Sequence, residues 1–107
     1  MKDFNIIKDM TIEELIGYVN RRRISEIQKL IMLLDFEQIE YTYHTYKGVC
    51  FSIWYNHNHY TVIFDKYSYG YNEGLLEMNN WDWDDVLGYL TAVEVFDIIM
   101  SDFDFEF

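Results

Sequence analysis

The chain has 107 residues, half of them apolar and a fifth aromatic, and carries a formal net charge of −11. That length suits one domain, residues 1–107, and an aromatic content this high argues against disorder despite the charge, because enough apolar surface is available to offset the ordering entropy. No apolar run approaches the roughly 18 to 20 residues of a bilayer span, the N-terminus lacks the basic-then-apolar layout of a signal peptide, and a single Cys50 agrees with a reducing compartment, so a soluble cytoplasmic protein is expected.

The first 40 residues read as two helices. Thr11 with Glu14 forms a capping box ahead of Ile12, Leu15, Ile16 and Val19, which recur at helical spacing. Arg21, Arg22 and Arg23 suit the last turn, where cations meet the negative end of the helix dipole. Ser25 with Gln28 opens a second helix that is apolar over most of its circumference through Ile27, Leu30, Ile31 and Leu34, as expected of a helix sandwiched in the core. From Glu40 the period falls to two. Residues 41–46 and 49–55 flank a Lys47-Gly48 hairpin, with Val49, Phe51, Ile53 and Tyr55 on the face toward the helices. A turn at Asn56-His57-Asn58 leads into a strand over 59–64, and Asn72-Glu73-Gly74 leads into a short one over 75–78. One of Asp82, Asp84 or Asp85 starts a short helical turn before Gly88, and Thr91 with Glu94 caps a last helix from Ala92 to about Ser101. The order is ααββββα: an α+β domain with two N-terminal helices, a three- to four-stranded antiparallel sheet and a C-terminal helix.

Charge is unevenly spread along this layout. Residues 67–107 hold ten carboxylates and no lysine or arginine, whereas residues 1–66 hold all eight cations against nine acids. Such a local anionic field attracts a basic surface, and large basic surfaces belong mostly to proteins that handle nucleic acid. The candidate partner-binding residues are therefore Glu77, Trp81, Asp82, Trp83, Asp84, Asp85, Glu94 and Asp97. In Trp81-Asp82-Trp83-Asp84-Asp85, indoles beside carboxylates have the composition of an anchor for arginines; one tryptophan is expected inward and the other outward. The alternation from Asp102 to Phe107 adds Asp102, Asp104 and Glu106, in either a tail or an edge strand.

Enzyme chemistry finds little support. His57 and His59 offer two ligands where zinc takes three or four, and a turn explains them better, so no metal and no cofactor are expected. His44 and Cys50 read as strand residues, and three successive arginines on a helix point in different directions. Phosphate-binding glycine loops, metalloprotease helices and nucleophile elbows are absent from the sequence.

The small size, the acidity, the lack of proline and the stretch Gly88-Tyr89-Leu90-Thr91-Ala92-Val93-Glu94-Val95 resemble small phage or mobile-element proteins of low-GC bacteria, a group that includes anti-CRISPR and anti-restriction inhibitors. The resemblance implies a non-enzymatic inhibitor in a bacterial host cell. It would act as a DNA mimic in the basic nucleic-acid groove of a defence nuclease such as a CRISPR effector, without binding nucleic acid or membrane. The alternative is an immunity protein or antitoxin-type module whose acidic face binds a basic protein without imitating DNA.

Overall fold

Three capping boxes set where the helices begin. A computed structural model describes residues 10–21 and 23–101. In it the Thr11 amide donates to Glu14 Oε1 at 2.9 Å while the Glu14 amide donates back to Thr11 Oγ1 at 3.2 Å. The same exchange joins Ser25 with Gln28 and Thr91 with Glu94. Each box satisfies two amides that a helix start leaves without partners. The helices are α1 (Ile12–Arg21), α2 (Glu26–Phe36) and α3 (Ala92–Ser101), all matching the sequence expectation closely. Asp102, Asp104 and Glu106, with the expected tail or edge strand, lie outside the described residues.

Among the described residues the sheet has five antiparallel strands in simple sequential order: β1 (Glu40–His44), β2 (Val49–Tyr55), β3 (Asn58–Phe64), β4 (Leu76–Asn80) and β5 (Leu87–Leu90). The α+β class is as expected, but three to four strands is an undercount. β5 occupies the place expected to follow a helical turn. Its four residues include Gly88 and the positive-φ Tyr89 (φ 59°), and its pairing to β4 is irregular, so no period-2 signal marks it in the sequence. Gly88 is required there for space, since a Cβ would come within 2.4 Å of the Tyr69 Cβ.

Alternation along the strands separates two faces. Phe51, Ile53, Tyr60, Val62, Leu76 and Met78 point inward and form one core with Leu15 and Val19 of α1, Leu30, Leu33 and Leu34 of α2, and Val95, Phe96 and Ile99 of α3. Val49 and Tyr55 pack at its margin, so the face assigned to β2 from sequence is the face observed. All three helices therefore cover one side of the sheet. On the other side, the register places residues in cross-strand rows: Glu40, Trp54 and His59; then Thr42, Ser52, Thr61 and Asn79; then His44, Cys50, Ile63 and Glu77.

The first strand is tied to α2 by the Tyr41 hydroxyl, which donates to Asp35 Oδ1 at 2.8 Å. Burial, then the bond to Asp35 and its negative charge, then Tyr43, push the Tyr41 phenol up from 10.0 to about 12. The folded state thus holds this proton after the unfolded chain has released it. The stability that Tyr41 contributes is fully present below pH 10 and is lost as pH rises from 10 toward about 12. Ultraviolet titration should resolve one tyrosine ionising late, and Asp35→Asn should move it down and reduce the loss of stability over that window. A late phase unchanged in Asp35→Asn would refute the assignment.

Candidate functional site

The register fixes the site before any side chain is considered. β2 and β3 are joined through Asn56 and His57, both at positive φ (54° and 70°), the conformation of a tight hairpin turn in which asparagine is well tolerated. This turn places Trp54 directly opposite His59. β4 ends with Asn80 opposite Tyr60, so the next residue, Trp81, arrives beside His59. The outcome is a row of three stacked rings on the open face. Trp54 and His59 are 5.0 Å apart and within 3° of parallel, and His59 and Trp81 are 5.6 Å apart at 25°. Among the described residues His59 Nε2 is buried without a hydrogen-bond partner, and the imidazole is stacked between the two indoles. His57 belongs to the turn, as expected, whereas His59 is a strand residue between two indoles.

From Trp81 the chain enters the β4–β5 loop. The Asp82 amide donates to Asn80 Oδ1 at 2.8 Å and the Trp83 amide to the Asn80 carbonyl at 2.9 Å, so the buried Asn80 organises the loop's first half. Trp83 turns inward, edge-on to Tyr60 at 6.1 Å, and packs against the core. Trp81 remains 78% exposed. One indole inward and one outward is the arrangement expected from sequence. Asp82, Asp84 and Asp85 are all exposed, and none forms an ion pair among the described residues, where the ion pair present is Lys29–Glu26 at 3.2 Å. Among the described residues, the bond that Asp85 Oδ1 accepts from the Val86 amide at 2.8 Å is the one commitment of these carboxylates. The short helical turn expected to start at Asp82, Asp84 or Asp85 before Gly88 is instead an irregular loop leading into β5.

The remaining candidates lie elsewhere. Glu77, between the inward Leu76 and Met78, is on the open face, where its Oε1 accepts from the Tyr69 amide at 2.9 Å. Glu94 and Asp97 are on α3, in the layer across the sheet. Because Leu90 pairs with Leu76 at the far end of β4, α3 begins at the sheet end opposite the acidic loop, roughly 13 Å away along the strand. Glu94 is also engaged in its capping box. The structure therefore gathers Asp82, Asp84 and Asp85 with Trp81 in one loop, with Glu77 on the strand before it and Glu94 at the start of α3, at the opposite end of the sheet.

Two members of the aromatic row were missed in the sequence. Trp54 alternates with the inward Ile53 and Tyr55 and so had to face outward, and a two-residue turn after Tyr55 puts His59 across from it; both signals were present. Cys50 lies half-buried on the same face, and burial, reinforced by Asp65, raises its thiol above the ordinary range, which disfavours a nucleophilic thiolate. Among the described residues no group of three or more His, Cys, Asp or Glu is placed to hold a metal ion, and no helix is long and apolar enough to cross a membrane. Comparison with protein families, with curated proteins and with solved structures returns no match to this chain.

Proposed function

We propose that this protein is a non-enzymatic binding module that docks on the basic surface of another protein through the β4–β5 loop and blocks that surface. The observation that carries the reading is Trp81, 78% exposed and followed by three exposed carboxylates that pair with no cation among the described residues. A large amphipathic ring beside uncommitted charge has the anatomy of an interface hot spot, with apolar contact at its centre and charge at its rim. The resemblance to small phage inhibitors makes a nucleic-acid-handling protein, such as a CRISPR effector nuclease in a bacterial cell, the partner class we favour.

Two versions of this docking differ in extent. Imitation of duplex DNA calls for charges repeated along one surface, about one per 1.7 Å of axis. The position of Glu94, capping α3 at the sheet end opposite the loop, favours the compact version, in which a short acidic plug enters a basic site in the manner of an immunity protein or antitoxin. Affinity capture from a bacterial lysate tests the reading, with wild-type protein compared against Asp82→Lys/Asp84→Lys/Asp85→Lys. Wild type should retain a basic protein that the variant loses. Preloading that protein with nucleic acid should block capture if the plug occupies the nucleic-acid groove and leave it intact if it docks elsewhere. Identical capture by the two proteins would overturn the proposal.

A further inference from the structure

Beside the exposed indole lies a cleft of about 390 Å³ lined by Thr61, Asn79, Asn80, Trp81 and Trp83. We propose that this cleft receives an arginine side chain of the partner, with the guanidinium stacked on Trp81 and its N–H groups directed to the Asn79 amide oxygen and the Asp82 carboxylate. The inference rests on the docking reading and names the residue type the partner must bring.

Three observations select arginine over other occupants. The walls are aromatic, and a planar, weakly hydrated guanidinium stacks on an indole with less desolvation than an ammonium requires. Next, the polar lining offers an acceptor. Asn79, on the open face, takes the Asn80 amide on its Oδ1 at 2.9 Å, which leaves that oxygen a second lone pair for an incoming donor, while the buried Asn80 is spent on the Asp82 amide at 2.8 Å. Finally, the site lacks cations. The last lysine in the sequence is Lys66, which belongs with Lys47 and Gly48 to a different cleft, at the β1–β2 turn end of the sheet. Negative charge at Asp82, Asp84 and Asp85 completes the complementarity.

The row of rings gives the site its rigidity. Stacking on His59, itself stacked on Trp54, fixes Trp81 before a partner arrives, and Asn80 fixes the two amides that follow. Less ordering remains to be done on binding, which strengthens the complex and slows its dissociation. His59 is thus a positioning residue. It need not touch the partner.

Fluorescently labelled nona-arginine and nona-lysine peptides test this with the full chain at physiological salt. The arginine peptide should bind at least about fivefold tighter at equal charge, the ratio expected for a guanidinium-to-indole contact of ordinary strength. Trp81→Ala should erase that preference while the lysine peptide's affinity changes less than about twofold, with circular dichroism unchanged because the ring is exposed. His59→Ala should reduce the preference and His59→Phe restore it, a pattern that a general loss of stability would not give. Equal binding of the two peptides, or an arginine preference that survives Trp81→Ala, would overturn the arginine cleft and leave acidic docking standing. Failure of both peptides to bind, or binding indifferent to the Asp82→Lys/Asp84→Lys/Asp85→Lys change, would overturn the docking reading and the cleft with it.

Discussion

Replacing Asp82, Asp84 and Asp85 together with lysine should abolish partner binding while leaving the melting temperature essentially unchanged. Each substitution changes the charge by two, so the net charge moves from −11 to −5 and the loop itself changes from −3 to +3. A basic partner that was drawn to the loop is now repelled by it. Electrostatic steering of this kind changes association rates by about 10- to 1,000-fold, and like charges brought together in a complex cost affinity again after encounter. The fold has little to lose, because the three side chains are exposed and make no ion pair among the described residues. The Asn80 bonds that organise the loop run to backbone amides and survive the change; the one bond given up is the local contact between Asp85 Oδ1 and the Val86 amide. Wild-type affinity should itself fall steeply with salt, since at 0.1 M the field is screened over about 10 Å. Association kinetics at two salt concentrations, together with thermal melts, check both halves. A charge-reversed protein that binds at the wild-type rate would sink the electrostatic mechanism.

Local rules made most of the fold legible. Thr11/Glu14, Ser25/Gln28 and Thr91/Glu94 marked helix starts because a capping box is a short-range device whose partners are three residues apart. Val49, Phe51, Ile53 and Tyr55 marked the inner face of β2 because strand alternation has a period of two. The failures came where the signal is tertiary. β5 has four residues, a glycine and a left-handed tyrosine, and is a strand because β4 offers it a ladder. The position of Glu94 relative to Asp82 depends on chain reversals at both ends of β5, which no property of either residue encodes. Charge can be counted along a sequence, but its distribution over faces is set by topology. Trp54 and His59 are recoverable from sequence, since the turn at Asn56-His57 dictates their register; a reading of the two histidines as metal ligands or turn residues does not reach the stack.

The complementary expectation concerns the opposite layer. Phe96→Ala should destabilise the fold severely without altering the loop's chemistry. Phe96 is 2% exposed in the middle of α3, inside the cluster that joins all three helices to the sheet. Truncating such a ring removes its transfer free energy and leaves a cavity, a combined cost of about 3–5 kcal/mol. Small domains have about 5–15 kcal/mol of stability in all, so the change consumes a large share of it and should lower the melting temperature by more than about 10 °C. Little else compensates. α3 is anchored at its start by the Ala92 amide, which donates to Glu26 Oε1 at 2.7 Å, and by its capping box, and these hold the helix's first turn rather than its apolar face. The acidic loop sits at the other end of the sheet from that turn and is organised by the Asn80 side chain and carbonyl rather than by bonds to α3 among the described residues. At a temperature where the variant is folded, its affinity for a basic partner should therefore remain within about twofold of wild type, as independent sites add. Thermal melts and binding measured on the same preparation decide the matter. A stable Phe96→Ala protein would show that α3 contributes little to the core, and a stable one that no longer binds would place the partner surface on the helical layer instead of the loop.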